Sequence, residues 1–160
     1  MIDELYSARI LRLAANLPHS GRLAAPEGTG ERVAKLCGSK AIVDVTLDAT
    51  GRVGTFAQDV KACALGQAAA GVLGEVVIGA SLDEIVVARD AMSAMLKAGG
   101  EGPTGRFEGL RALKQVADYP ARHASTMVAI EATLDAMRQA QGRALARKSP
   151  DTRTSLAGAA

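Results

Sequence analysis

Aromatic residues are nearly missing from this chain. Tryptophan is absent, and Phe and Tyr together make up 2% of 160 residues. Hydrophobic residues still total 48%, so a core must be built from Ala, Val, Leu, Ile and Met. Such side chains pack closely but bury little area each, and a stability in the ordinary or marginal range is expected. Excess charge of one sign is missing too. The 19 basic and 17 acidic residues leave a formal charge of +2. That balance argues against nucleic acid or an anionic membrane as a main partner. Cysteine is scarce. Cys37 and Cys63 cannot make a disulfide framework for a chain this size, and two free thiols in a reducing cytoplasm are expected. The opening Met-Ile-Asp-Glu-Leu lacks a basic stretch followed by an apolar one, so no secretory signal is expected. From Ala62 to Leu82 the only charge is Glu75, but Gly66, Gly71, Gly74 and Gly79 dilute the run. A membrane span needs about 20 strongly apolar residues, and this segment reads as buried in a water-facing domain. Its glycines are not a phosphate loop, since no Gly-Lys-Ser/Thr follows. No His-Glu-x-x-His, supported Ser-His-Asp order or paired carboxylates with an acid–base role is present.

What is present organises as one domain over residues 1–143 with a basic tail, 144–160, of no fixed structure. Residues 3–16 repeat apolar side chains at helical spacing, and Asn16 and Pro18 end that helix. Pro18, Gly21, Pro26, Gly28 and Gly30 make residues 17–30 an irregular loop. Arg32 to Leu36 is a short strand. Ala41 to Asp48 alternates, with Val43, Val45 and Leu47 on one face. Ala49-Thr50-Gly51 turns, and Arg52 to Val60 returns. These three strands predict a small antiparallel sheet with Cys37 and Cys63 at the same edge. The rest is helical. One helix runs from near Cys63 to Gly74. A second runs from a capping box at Ser81 and Glu84 to Lys97, with Leu82, Ile85, Val86, Met92, Met95 and Leu96 as its apolar side. Gly99 to Gly105 loops, and Phe107 to Ala117 forms a shorter helix. Pro120 opens a long helix to about Arg143, with Met127, Ile130, Leu134 and Met137 as its stripe.

Each candidate site residue has a packing alternative. Cys37 lies in the turn Leu36-Cys37-Gly38-Ser39, where the ordinary reading is a small buried hydrophobe. Cys63 opens Ala62-Cys63-Ala64-Leu65-Gly66. A helix beginning there would favour its thiolate, with Lys61 adding to the effect. The gap between the two cysteines is far longer than Cys-x-x-Cys and is no metal signature by itself. His123 precedes Met127 by one helical turn and reads equally as a partly buried helix histidine. His19, Glu27 and Glu31 read as solvated. Lys40 would repel a cation and attract an anionic sulfur species.

In order, Leu36-Cys37-Gly38-Ser39, the Cys63 segment and Tyr119-Pro120-Ala121-Arg122-His123-Ala124-Ser125 resemble the three segments of the U-type iron–sulfur scaffold family (IscU, SufU and the amino-terminal part of NifU). In that family they read Cys-Gly-Asp, Gly-Cys-Ala/Ser-Ile-Ser and Phe-Pro-Ala-Arg-Ile-Lys-Cys. Ser39 stands at the aspartate and Ser125 at the third cysteine. The long segment before Pro120 is more similar to SufU than to IscU. The resemblance implies an α+β fold with a helical layer on one face of the sheet. It implies a scaffold or sulfur acceptor working with a cysteine desulfurase, and a transient iron–sulfur cluster or zinc held by Cys37 and Cys63. Recipient apo-proteins or carriers would be further partners. His123 is the candidate to replace the third ligand, although it points about 200° away from Ser125 at about 100° per residue. Ser125 itself is a poor ligand, because its hydroxyl keeps its proton. Asp44 and Asp59 lie too far along the strands to replace the aspartate. Two other classes stay open. One is an interaction or regulatory protein that kept the fold and lost the cluster, for which Ser39 and Ser125 speak. The other is a zinc-dependent sulfurtransferase.

Overall fold

The computed structural model describes residues 7–148. Helix α1 spans Ala8–Ala15. The Ser7 hydroxyl accepts from the N–H of Ile10 at its start, and Ile10 is its buried residue. The expected first turn, residues 3–6, lies outside the described residues. Strands β1 (Gly28–Ala34), β2 (Ser39–Leu47) and β3 (Val53–Lys61) form an antiparallel sheet in that order. Helices α2 (Ala64–Val76) and α3 (Leu82–Lys97) follow, then a 3₁₀ segment over Gly105–Asp118, a 3₁₀ turn over Pro120–Arg122, and helix α4 over His123–Lys148. This is the expected α+β fold, a three-stranded sheet with helices packed on it.

Side chains alternate across the sheet. Ser39, Ala41, Val43 and Val45 of β2 point to the helical side with Phe56, Gln58 and Val60 of β3, and all are buried. Leu47 is only half-buried, because the pairing slips beside it at Thr46/Leu47. In the β2–β3 turn the Asp48 carboxylate accepts from the N–H groups of Thr50 and Arg52 at 2.8 and 3.0 Å.

Strand β1 begins at Gly28, four residues before the expected start. The glycines that read as loop chemistry are strand residues with a packing reason. A Cβ on Gly28 or Gly30 would fall on the backbone carbonyls of Ala136 and Ala132. Helix α4 lies directly on the β1 backbone, and only glycine leaves room for it. Met127, Ile130, Leu134 and Met137 form its buried stripe, as the periodicity predicts. The helix continues to Lys148, past the expected end near Arg143; the remainder of the tail, 149–160, lies outside the described residues.

The capping box of α3 is complete. The N–H of Glu84 donates to Ser81 Oγ, and the N–H of Ser81 donates to Glu84 Oε1, each at 3.1 Å. Ile85, Met92, Met95 and Leu96 are buried as expected, whereas Leu82 and Val86 are only partly so. The segment expected as a shorter helix is helical, with 3₁₀ geometry over Gly105–Asp118. Phe107, Leu110, Leu113 and Val116 are its buried residues and recur every third position. With three residues per turn they align on one side, which 3.6 per turn would not allow. No helix among the described residues is long and apolar enough to cross a membrane.

Candidate functional site

Three segments converge at one end of the sheet. The β1–β2 turn carries Cys37, which is exposed. Gly38 makes that turn with φ +74° and donates its N–H to the Ala34 carbonyl at 2.8 Å. Cys63 follows β3 directly as the N-cap of α2 and is half-buried. Ser125, in the first turn of α4, is fully buried. Gly66 permits the approach of α2 to α4, since a Cβ there would stand 2.7 Å from the Ser125 carbonyl oxygen. Cys37, Ser39, Cys63 and Arg122 border an open cleft of about 430 Å³ with Lys61 and Gln67.

Each thiol has a serine hydroxyl beside it. Ser125 Oγ lies 3.4 Å from Cys63 Sγ, and it adds to the ease with which the Cys37 thiol ionises. It donates its own proton to the Arg122 carbonyl at 3.0 Å. In the contact with Cys63 either group can donate, and the hydroxyl turned toward the sulfur stabilises the thiolate. Cys37 Sγ also donates to Ser39 Oγ at 3.1 Å. Both thiols ionise more readily than an ordinary cysteine. For Cys37 the main cause is the Ser39 hydroxyl. The Ser39 N–H, the Ser125 hydroxyl and the Arg122 charge add to it, against a smaller opposing effect of burial. For Cys63 burial is the largest single effect and opposes ionisation. It is outweighed by the Ser125 hydroxyl, the N–H groups of Gly66 and Leu65, and Arg122. The helix N-terminus thus acts on Cys63 as its position predicts.

His123 lies apart from the two thiols. Its Nε2 donates to the carbonyls of Val116 and Ala117 at 3.0 and 3.2 Å. It closes the 3₁₀ segment onto α4 and borders a different cleft with Arg32, Lys97 and Glu131. Two positions of helical rotation separate it from Ser125, so it does not join the thiols. Lys61 borders the cleft, and Lys40 is paired with Glu31 at 2.8 Å. The cation that acts on both sulfurs is Arg122, which sequence reasoning passed over although it stands in the quoted third segment. His19, exposed with φ 56°, sets its ring edge-on to Phe56 at 6.0 Å between centroids. Asp44 is fully buried on the other side of the sheet and takes no part. Among the described residues no group of three or more His, Cys, Asp or Glu side chains converges as a metal site. A closed four-ligand zinc site does not fit the donors one chain brings here.

The family model of the NifU-like N terminal domain matches residues 5–126. No curated protein matches the chain. Among solved structures, a nitrogen-fixing NifU-like protein (N-terminal) from Brucella abortus is 45% identical. The match covers 88% of this chain and 97% of that one with a TM-score of 0.84. A putative iron–sulfur cluster assembly scaffold protein for the SUF system from Fervidobacterium islandicum shares the fold at 18% identity. There the TM-score is 0.76, over 84% of this chain and 98% of that one. A hypothetical protein at 22% identity also shares it, with a TM-score of 0.72 over 85% and 98% of the two chains.

Proposed function

The chain belongs to the NifU-like N-terminal domain family of U-type scaffolds, and on that premise we propose that it serves iron–sulfur cluster assembly as a sulfur acceptor and transient scaffold. The observation that supports this most is that Cys37 and Cys63 line one open cleft, each beside a serine hydroxyl. In this reading a cysteine desulfurase delivers sulfur to the exposed Cys37. Iron and sulfide are the cargo, held by the two thiolates, and recipient apo-proteins or carriers take the product. Reduced free thiols suit a cytoplasmic setting.

A cluster wants four good ligands, and one chain offers two. Cluster occupancy is therefore expected to be labile in the monomer, with a second chain or a partner completing the shell. The test is anaerobic purification followed by iron, sulfide and zinc analysis, alongside sulfur transfer from a desulfurase. Substoichiometric iron with sulfide, lost to a chelator, is expected together with sulfur uptake on Cys37. A stoichiometric, chelator-resistant cluster on the monomer would overturn the two-ligand account.

A second reading draws on Ser125, whose hydroxyl is neutral and already hydrogen-bonded to the Arg122 carbonyl. In that reading the fold persists as an interaction or regulatory module without cluster binding. Absence of metal, sulfide and sulfur transfer alike would favour it. Stoichiometric zinc would instead favour a zinc-dependent sulfurtransferase, with a partner supplying the missing ligands.

A further inference from the structure

The site has an acceptor thiol, a second thiol beside it and no third sulfur. Resting on the acceptor reading above, we propose that Cys63 is a resolving thiol that releases sulfide from a persulfide formed on Cys37. The two sulfurs have unequal surroundings. Cys37 stands exposed in a turn hinged at Gly38, where a partner's sulfur can reach it. Cys63 is half-buried behind it, against Ser125 Oγ and the first N–H groups of α2. The strand register brings the two together. Lys40 pairs with Lys61, and continuing the pairing by two positions sets Gly38 against Cys63. Cys37 is the next residue.

The step balances without a metal. The Cys63 thiolate attacks Cys37 Sγ of the persulfide, and the Cys63 Sγ–Cys37 Sγ bond forms. The bond from Cys37 Sγ to the outer sulfur breaks, and its electron pair leaves with that sulfur as HS⁻. Two cysteine sulfurs are oxidised to a disulfide while the outer sulfur is reduced to sulfide. An external dithiol reductant then returns the pair to thiols. Arg122 lies where it attracts the incoming anionic persulfide as well as both thiolates. At Ser125 a thiol would be a further candidate for the sulfur or for metal. The hydroxyl can do neither, and Cys63 is the only other thiol among the described residues.

The experiment uses the full chain, reduced and freed of reductant under argon. One equivalent of a low-molecular-weight persulfide is added. Released sulfide is followed, and the cysteine peptides are mapped by mass. The natural chain is expected to release sulfide and form an intrachain Cys37–Cys63 disulfide. In Cys63→Ser the extra sulfur should stay on Cys37, with sulfide release slowed by about tenfold or more. In Cys37→Ser no intrachain disulfide should form. A natural chain that keeps its persulfide on Cys37 would overturn the inference and leave the acceptor reading intact, as would sulfur passed on to Cys63 without sulfide release. Failure of either cysteine to take up sulfur would overturn both. The disulfide map of the natural chain decides the matter even if a variant folds poorly.

Discussion

One face of the sheet and one end of it hold polar groups in opposite states. On the face away from the helices, Asp44 is fully buried and fully engaged. It accepts from Arg22 Nε at 2.6 Å and Nη2 at 3.2 Å, the Leu23 N–H at 3.0 Å and Thr29 Oγ1 at 2.7 Å. Nothing is left over for a ligand, and the carboxylate pins the 17–27 loop across β1 and β2. At the cysteine end, the thiols share weak partners, face an open cleft and lie under the Arg122 charge. A buried charge with every lone pair used is architecture. Convergent nucleophiles with capacity to spare are where chemistry is to be sought. Acid titration of the Asp44 clasp and the reactivity of the thiols therefore probe different things.

The largest expected effect converts the open end into a filled one. Ser125→Cys with Ser39→Asp replaces a neutral hydroxyl by a thiolate and another by a carboxylate. Zinc affinity, measured by competition with a chelator at fixed pH, should rise by about a hundredfold or more. No gain would mean that the α4 start does not present position 125 to the two thiolates in a ligating geometry. Next comes the surface on which that geometry rests. Gly30→Ala drives a Cβ into the α4 backbone, and a loss of about 3 kcal/mol in urea unfolding is expected. A loss below about 0.5 kcal/mol would show that the helix can lift off β1 freely.

Asp44→Asn keeps the shape of the clasp and removes its charge, with an expected cost of about 2 kcal/mol at neutral pH. Burial, the largest effect on Asp44, raises its pKa, but Arg22, Thr29 and the Leu23 N–H together hold it below the ordinary 3.8. A depressed folded pKa contributes stability that is full above the unfolded value and is lost as pH falls through the folded one. The stability difference between the natural chain and the Asp44→Asn variant should therefore persist at pH 7 and shrink below about pH 4. A difference that is constant down to strongly acid pH would show that the charge is not what the clasp uses. The smallest effect concerns the thiols. Arg122→Gln removes the cation but leaves the carbonyl that Ser125 and Thr126 bond. Alkylation of Cys37 and Cys63 should then need higher pH, with rates at pH 7 falling by about two- to fivefold. An unchanged pH profile would remove Arg122 from the site.

Much of this architecture is legible in the linear chain. The alternation of Val43 and Val45, the Ser81/Glu84 box and the Met127–Ile130–Leu134–Met137 stripe are local patterns, and each appears as its period predicts. The 3₁₀ segment is also written in the chain, in the strict threefold spacing of Phe107, Leu110, Leu113 and Val116, but α-helical spacing is the commoner pattern and conceals it. Gly28 and Gly30 misread as loop, because a glycine needed for clearance looks like one needed for a turn.

Sequence by itself determined the order of the elements, the family, and that two cysteines and two serines stand where its ligand segments lie. These follow from residue identity and short-range periodicity. Only the tertiary structure decided which side chains share a space. It brought Cys37 and Cys63 to one cleft, each beside a serine hydroxyl, turned His123 away to the Val116 and Ala117 carbonyls, and added the Arg122 charge at both thiols. Each depends on the angular phase at which α4 leaves its 3₁₀ turn and on its contact with β1, a long-range packing result that no local pattern encodes.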